Sequence, residues 1–348
     1  MTAPEGIHAD RVSAWMLENI EGAVAPFEFE FISGGRSNLT FKVTAADGRA
    51  MVLRRPPISH VLATAHDMGR EHKIISALAG TPVPVPRAVG FCQDEAVNDR
   101  PFYVMDFVDG HILRSAQQAE AALTVEQREA AGRSLIDVLA AIHSVDPDAV
   151  GLGDLGRRDG YIERQLKRWY GQFRQSQEQE KESGIFRPAE VVDEVHDLLA
   201  KQVPTQTETT IAHGDYRLDN TMIGRDGSVQ AVLDWELCTL GHPLADLGTM
   251  SVYWTDRSSG GPAMAATAAE GFPTKAELVE MYRAASGRDV SDLPYYVAFA
   301  HWRLACIVEG VYARYGSGAM GGDRSGVEAM AQSTIHRAEM ARAALTQL

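Results

Sequence analysis

Residues 211–236, IAHGDYRLDNTMIGRDGSVQAVLDWE, place three polar side chains around one short predicted hairpin. Asp215 follows a His-Gly pair, Asn220 comes five residues later, and Asp234 ends a run of apolar residues. Two β-like runs between Asn220 and Asp234 are separated by Arg-Asp-Gly, which is a hairpin turn signal. Because a hairpin brings its two ends together, the sequence predicts that Asp234 returns close to Asn220.

The three side chains have the chemistry that phosphoryl transfer requires. A carboxylate and a carboxamide that meet at a strand end, here Asp234 and Asn220, offer hard oxygen ligands suited to Mg²⁺. A second carboxylate one short loop away, Asp215, could hold a substrate hydroxyl, and the reaction asks little other chemistry of the protein. Each residue taken alone is more typical of a turn, because Asp and Asn favour turns. The prediction therefore rests on the spacing of all three.

The segments HGDYRLDN, residues 213–220, and LDWE, which ends the hairpin, resemble the aminoglycoside phosphotransferase family. Within that family the chain is similar to the phosphotransferase domains associated with acyl-CoA dehydrogenases, and LGHPLADLG, residues 240–248, fits the same branch. The resemblance implies a two-lobed, protein-kinase-like α+β fold, with a small antiparallel β-sheet lobe and a larger, mainly α-helical lobe. It also implies ATP and Mg²⁺ as cofactors, with Asp215 as the catalytic base and Asn220 and Asp234 as metal ligands.

The N-terminal part of the chain predicts the small lobe. Alternating apolar runs, the first of which spans 27–31, indicate antiparallel strands. A glycine-containing turn, 33–38, separates the first two. In kinase order this turn covers the ATP phosphates, which assigns nucleotide binding to Gly34, Gly35 and Ser37. A plain hairpin turn is the alternative, because two glycines in a turn are a weak signal by themselves.

The third predicted strand carries Arg54 at the position where kinases place a phosphate-binding lysine. Strand alternation puts Val52 and Arg54 on the face toward the nucleotide, and a guanidinium can hold phosphate oxygens bidentately. Arg55 is the alternative for this role. The following helix, predicted at 66–79, carries Glu71 early, and the resemblance assigns Glu71 to pairing with the strand cation. A surface glutamate is the other interpretation of Glu71.

The order of elements places a hinge in 106–110. It divides the chain into an N-terminal lobe, 1–108, and a C-terminal lobe, 109–348. A capping-box sequence at Thr124 predicts the start of a helix in the second lobe. Other helices are predicted at 159–182, with its polar end 175–183 in solvent, and at 188–201, 274–286, 293–315 and 325–347.

Several residues in or near the segment 211–236, the organising segment, have open roles. His213 is expected to orient the loop rather than to do chemistry. Asp246 could brace the catalytic loop by hydrogen bonds, or it could be an acid favoured by the dipole at a helix start. His143 is interpreted as a helix-end residue. Residues 257–273, rich in Ser, Gly, Ala and Pro, predict a flexible loop that borders the acceptor pocket.

The composition excludes several kinds of partner. The 348 residues include 33 basic and 47 acidic side chains, and the net charge of −14 argues against nucleic acid or an anionic membrane. Three widely spaced cysteines are typical of reduced thiols in a cytosolic protein. No basic, apolar leader and no run of about 20 apolar residues is present. We therefore expect a cytoplasmic protein with a small-molecule acceptor.

The sequence thus predicts an ATP- and Mg²⁺-dependent phosphotransferase that acts on a hydroxyl of a small acceptor. The acceptor is a hydroxyacyl compound or an aminoglycoside-like molecule. The resemblance to the dehydrogenase-associated branch favours the first, and the C-terminal helices lack the unusual acidity that an antibiotic pocket requires. The alternative is a catalytically weak or inactive nucleotide-binding module, which is favoured by an arginine at the lysine position and a sparse glycine turn.

Overall fold

The computed structural model describes residues 4–32, 38–57, 67–257, 265–317 and 327–346. The turn to which Gly34, Gly35 and Ser37 were assigned lies outside the described residues, and so does the middle of the predicted loop 257–273.

A five-stranded antiparallel sheet forms the small lobe, in the order β1-β2-β3-β5-β4. The register places Arg54 opposite Thr40 on one neighbouring strand and opposite Tyr103 on the other. Directly opposite residues share a face of the sheet, so Tyr103 lies beside Arg54. The elements of this lobe are α1 (Ala9–Asn19), β1 (Glu28–Phe31), β2 (Leu39–Thr44), β3 (Ala50–Arg55), α2 (Met68–Leu78), β4 (Ala88–Cys92), α3 (Glu95–Asn98) and β5 (Phe102–Asp106).

Helix α2 begins at a side-chain cap. The carboxylate of Asp67 accepts a hydrogen bond from the backbone N–H of Arg70 at 3.0 Å, which satisfies one of the free donors of the first turn. The apolar residues of α2 recur at helical spacing and are buried, among them Ile74 and Leu78. Glu71 lies on the same buried face, which turns it toward the sheet.

The large lobe is built from helices, as predicted, and the capping box of Thr124 and Gln127 is present at the start of its longest early helix. The predicted helix bounds agree with the structure within about three residues. One short helix, α4 (Ala116–Ala122), was not predicted. The helices are α4 (Ala116–Ala122), α5 (Val125–Ser144), α6 (Tyr161–Glu182), α7 (Glu190–Lys201), α8 (Leu244–Tyr253), α9 (Lys275–Ser286), α10 (Leu293–Gly316) and α11 (Val327–Leu345).

Two small antiparallel sheets hold the organising segment. The predicted hairpin forms from β7 (Thr221–Ile223) and β8 (Val229–Val232), and the N–H of Leu233 closes it by donating to the Asn220 carbonyl at 2.9 Å. The second pair, β6 (Thr210–Ala212) with β9 (Thr239–Gly241), was not predicted. Three-residue strands are too short to show a period in the sequence.

The polar end of α6 was predicted to lie in solvent, and that prediction holds for residues such as Glu178 and Glu182 but is wrong for two others. Gln177 and Glu180 are buried. They continue, at intervals of three and four residues, the buried face that Trp169 and Phe173 begin. Because these two side chains are polar, the apolar pattern that predicted the helix did not mark them as buried.

The described part of 257–273 is packed against the lobe rather than free in solvent. A 3₁₀ turn spans Ala266–Ala268, and the Thr267 hydroxyl accepts from the backbone N–H of Thr255 at 2.8 Å. The indole of Trp254 donates to the Pro273 carbonyl at 2.8 Å. These hydrogen bonds therefore hold residues 265–273 against the large lobe.

The two lobes share one hydrophobic core. Side chains from the α2 face of the sheet, such as Val52 and Met105, belong to the same cluster as the buried side chains of α5, α6 and α10. The opposite face of the sheet packs with α1 in a separate, smaller cluster. The Arg70 guanidinium also crosses between the lobes, donating to the carbonyls of Leu155 at 2.9 Å and Cys238 at 2.7 Å.

The three cysteines are free and buried, as predicted. Over the residues that the structure describes, none of the helices has the length and apolar character needed to cross a membrane.

Candidate active site

Asp215 and Asn220 are joined directly. The Asn220 amide nitrogen donates to the Asp215 backbone carbonyl at 2.9 Å and to its carboxylate at 2.8 Å. The Arg217 Nε also faces this carboxylate, at 3.2 Å. Because the Asn220 nitrogen is engaged with Asp215, the amide oxygen is the atom of Asn220 that a metal can use.

Asp234 stands where β8 ends, in a left-handed backbone conformation with φ of 63°. A residue other than glycine adopts this conformation at a cost in free energy, and such residues concentrate at functional sites. The Asp234 carboxylate accepts from the Arg54 guanidinium at 2.6 Å. The end of the hairpin thus meets the small-lobe sheet.

Arg54 and Glu71 form a buried ion pair, with 3.0 Å between the Arg54 Nε and the Glu71 Oε2. Glu71 also accepts from the Asn38 amide at 3.1 Å and from the Tyr103 hydroxyl at 3.0 Å. Burial lowers the pKa of Arg54, but the negative charges of Glu71 and Asp234 hold it above its usual range. The guanidinium therefore stays charged.

Arg55, the alternative cation, lies elsewhere. Its guanidinium donates to the carbonyls of Gly6 and Pro56, near the N-terminal segment. Successive residues of a strand point to opposite faces, so only one of the two arginines can face the cleft. The structure places Arg54 there.

The cleft between the lobes encloses a cavity of about 750 Å³. Arg54, Asn220 and Asp234 all line it, together with apolar side chains from the sheet and from β7 and β8. Carboxylate and amide oxygens are the donors that Mg²⁺ prefers, and Mg²⁺ commonly takes one or two carboxylates together with phosphate oxygens. The residues present fit that ion. Within the described ranges, no group of three or more His, Cys, Asp or Glu residues is arranged to hold a metal.

A single buried carboxylate, that of Asp246, lies beneath the loop that carries Asp215. Asp246 accepts from the backbone N–H of His213 at 2.7 Å and of Gly214 at 2.8 Å, and it faces the His143 Nε2 at 3.3 Å. Burial alone would raise the pKa of Asp246, but the hydrogen bond and charge of His143 hold it below its usual range. Of the two interpretations of Asp246, the structure supports the brace.

His213 connects the loop to the hairpin. Its Nδ1 accepts from the backbone N–H of Asp215 at 3.2 Å, which leaves Nε2 to donate to the Leu233 carbonyl at 3.0 Å. The ring is fully buried. His213 therefore holds the strand before Asp234 against the loop that carries Asp215, which is an orienting arrangement.

The sequence pattern did not predict a role at the site for three residues. Tyr103 and His143 have partners far along the chain, and no local pattern marks them. Glu236 follows the hairpin, and burial together with the neighbouring Asp234 raises its pKa to about 7. Its place in LDWE, two residues after Asp234, was the available signal.

The end of the predicted hinge contacts the hairpin. The backbones of His111 and Ile223 exchange two hydrogen bonds, at 2.8 and 2.9 Å. A Cβ atom on Gly110 would lie 2.9 Å from the Ile223 carbonyl oxygen, so a side chain there would force the two segments apart.

The fold and the site together define a kinase-like phosphotransferase, with an antiparallel small lobe, a helical large lobe, Asn220 and Asp234 at the cleft between them, and Asp215 joined to Asn220. The chain belongs to the phosphotransferase enzyme family, whose sequence profile matches residues 28–283. This confirms the predicted resemblance and the predicted fold class.

Among its relatives, acyl-CoA dehydrogenase family member 10 of Mus musculus is 35% identical over 299 residues. The match covers 84% of this chain and 27% of that protein, so the chain spans about a quarter of the relative's length.

Solved structures agree with this. A protein of Ralstonia eutropha JMP134, provisionally described as an aminoglycoside phosphotransferase, is 33% identical and superimposes with a TM-score of 0.80, over 97% of this chain and 98% of that one. The ADP-bound aminoglycoside phosphotransferase APH(2'')-Ib is 14% identical, with a TM-score of 0.59 over 96% of this chain and 99% of that one. The second likeness is one of fold alone.

Proposed function

We propose that the protein transfers the γ-phosphoryl group of ATP, with Mg²⁺, to a hydroxyl of a small acceptor. The observation that carries this proposal is the direct link between Asp215 and Asn220, in a loop whose Asn220 lines the same cavity as Asp234 and Arg54. One base, two hard-oxygen ligands and one cation are what phosphoryl transfer asks of a protein.

The cleft suits a nucleotide. Its volume of about 750 Å³ and its apolar walls match an adenine, and a neighbour of the same fold is ADP-bound. Arg54, fixed by Glu71, would hold the α- and β-phosphates, and Asn220 and Asp234 would hold the ion. Bound Mg²⁺ would neutralise the charge of the phosphate oxygens. The assignment of Gly34, Gly35 and Ser37 to the phosphates stays a prediction.

Asp215 would orient the acceptor hydroxyl and accept its proton. The amide of Asn220 fixes one oxygen of the Asp215 carboxylate. The Asp246 carboxylate fixes the loop that carries Asp215 by accepting from its backbone. Catalysis would then come mainly from positioning, because both reacting groups are held by rigid elements.

The proposed acceptor is a hydroxyacyl compound. The support is the similarity to a protein named for acyl-CoA dehydrogenase activity, of which this chain matches about a quarter. An aminoglycoside-like acceptor is the second candidate, and the similarity to the Ralstonia eutropha protein favours it. The inactive-module alternative loses support, because Arg54 makes the ion pair with Glu71 that an active small lobe requires.

ADP release from ATP and Mg²⁺, measured over a panel of hydroxy acids, hydroxyacyl-CoA esters and aminoglycosides, tests this proposal. Asp215→Asn should lower kcat about 10²- to 10⁴-fold by removing the base. Asp234→Ala should abolish the Mg²⁺-dependent rate. Asp226→Asn, at the exposed turn of the same hairpin, is the matched control and should leave the rate unchanged.

Turnover that survives both substitutions would overturn the assignment of these residues. Binding of ATP and Mg²⁺, seen as a rise in Tm, without turnover of any acceptor would favour the inactive module instead.

A further inference from the structure

Arg70 is the neighbour of Glu71 on α2, and it contacts the large lobe. Its guanidinium Nη2 donates to the carbonyl of Leu155 at 2.9 Å and to that of Cys238 at 2.7 Å. Hydrogen bonds from a charged donor are stronger than those between neutral groups. Because the backbone of an α-helix is hydrogen-bonded from turn to turn, a contact that fixes Arg70 also limits the movement of Glu71.

The Cys238 carbonyl belongs to the backbone between the proposed metal ligand and the proposed base. One 3₁₀ turn, Trp235–Leu237, separates it from Asp234. The residue after Cys238 begins β9, and its partner strand β6 leads directly into the loop that carries Asp215. The hydrogen bond from Arg70 to Cys238 therefore ties α2 to the segment that connects these two groups.

The Leu155 carbonyl comes from a different segment, which packs closely on β9. A Cβ atom on Gly156 would lie only 2.6 Å from the hydroxyl oxygen of Thr239, so the absence of a side chain at Gly156 allows this approach. The close packing brings the carbonyls of Leu155 and Cys238 within reach of one nitrogen of Arg70.

Two connections therefore run from α2 to the end of the hairpin. The inner one passes from Glu71 to Arg54 at 3.0 Å and from Arg54 to Asp234 at 2.6 Å. Under the proposed function, Arg54 and Asp234 must also bind phosphate and metal, so the inner connection changes when the nucleotide binds. The outer one, through Arg70, ends on backbone carbonyls and can hold α2 in place throughout.

We propose that Arg70 is a positioning residue for nucleotide binding, and that it acts through Glu71. By fixing α2 against the backbone that follows Asp234, it keeps Glu71 where it can direct Arg54 toward the phosphates. The proposal rests on the proposed function and adds a residue that supports its phosphate cation from outside the ion-pair network.

Lys73, three residues further along α2, offers a matched control. Its ammonium group pairs with Asp154 at 2.6 Å, so it joins the same helix to the same large-lobe segment as Arg70 does. The two side chains are 45% and 72% exposed. Exposed ion pairs contribute little because water screens them, and this pair does not reach the backbone after Asp234.

Calorimetric titration with AMP-PNP and Mg²⁺ measures the effect of Arg70 without requiring an acceptor. The variants are Arg70→Met, which keeps an apolar side chain and removes the donors, and Arg70→Gln, which is shorter and uncharged. Arg70 is half-buried, so we expect both variants to fold. Each folded variant should bind AMP-PNP about tenfold more weakly than the unaltered protein, because charge-assisted hydrogen bonds to α2 are lost.

Two further variants separate positioning from general stability. Lys73→Gln should keep its affinity for AMP-PNP within about twofold of the unaltered protein. Arg70→Lys retains a charged donor and should restore the affinity to within about threefold.

A double-mutant cycle tests whether Arg70 acts through Glu71. In a Glu71→Gln background, Arg70→Met should weaken AMP-PNP binding by less than about threefold, because the contact that Arg70 supports has already been lost.

The proposal is overturned if every folded Arg70→Met or Arg70→Gln variant binds AMP-PNP as tightly as the unaltered protein, even where its Tm falls, since Arg70 then serves packing alone. An undiminished effect in the Glu71→Gln background, an equal effect from Lys73→Gln, or an Arg70→Lys variant no better than Arg70→Met would also overturn it. Failure of the unaltered protein to bind AMP-PNP would instead overturn the proposed function, and the role of Arg70 with it.

Discussion

Asp246 and Glu180 are both buried in the large lobe, at 1% and 0% exposure, yet their carboxyl groups behave in opposite ways. Asp246 accepts from two backbone N–H groups and faces His143, and its pKa lies below the usual range. Burial and the neighbouring Glu309 raise the pKa of Glu180 to about 8. Burial penalises both groups, so the donors around each decide its charge.

The two carboxyl groups therefore have different roles, one at the candidate site and the other in the packing of the large lobe. Beneath the loop that carries Asp215, the charged Asp246 carboxylate accepts from two backbone N–H groups and so holds that loop in place. At the far end of α6, Glu309 pairs with the Arg187 guanidinium at 2.5 Å, whereas the neighbouring Glu180 forms no ion pair among the described residues. There the protonated carboxyl group of Glu180 is more stable in the packed interior than its charged form.

The largest effect is expected from Asp246→Asn. The amide would turn a donor toward backbone N–H groups and free the loop, so kcat should fall about 100-fold through misplacement of Asp215. The free energy of unfolding should fall by about 3 kcal/mol, because a buried charge network loses one partner. Steady-state kinetics measure kcat, and urea unfolding measures the free energy of unfolding. A kcat within threefold of the unaltered protein would contradict the brace.

The sign of the pH dependence sharpens the same comparison. Because the folded protein lowers the pKa of Asp246, its stabilising effect is present above the unfolded pKa and is lost as the pH falls through the folded value. The Asp246→Asn variant should therefore lose stability relative to the unaltered protein at neutral pH and approach it in acid.

An intermediate effect is expected from Glu71→Gln, which removes the charge beside Arg54 but keeps an acceptor for Asn38 and Tyr103. Arg54 should then turn more toward Asp234, and the KM for ATP should rise about tenfold with a smaller change in kcat. Glu95→Gln, on exposed α3, is the matched control. An unchanged KM would show that the ion pair does not position the phosphate cation.

The smallest effect, and one of opposite sign, is expected from Glu180→Gln. The folded protein raises the pKa of Glu180 to about 8, so the unaltered protein loses stability as the pH rises from the unfolded pKa through that value. The variant should escape this loss and gain about 3 °C in Tm at pH 8, with little gain at pH 5. Glu178→Gln, on the exposed face of α6, should show no such trend.

The sequence predicted what depends on local pattern. The hairpin, the helices and the placement of Arg54 on the inner face of β3 follow from periodicity and turn chemistry over a few residues. The contacts it missed join distant parts of the chain. Tyr103 meets Glu71 across 32 residues, Arg303 meets Gly214 across 89, and His143 meets Asp246 across 103. Only the tertiary fold creates such partners.

The end of α6 shows a second limit. Gln177 and Glu180 are polar, and a pattern of apolar residues could not assign them to the buried face. Gln177 accepts from the Arg174 guanidinium at 3.2 Å, and the raised pKa of Glu180 lets it be buried as a neutral acid beside Glu309. The periodicity of a single sequence detects the burial of apolar side chains and misses the burial of polar ones.

The hydrophobic core that runs through both lobes has a consequence for how the molecule opens. Val52 and Met105 of the sheet share that core with the large-lobe helices, and Arg70 adds two hydrogen bonds across the division. Separating the lobes would expose apolar surface on each. We therefore expect the cleft to widen at its rim rather than at its base, and the two lobes to unfold together, although the predicted hinge divides them in sequence.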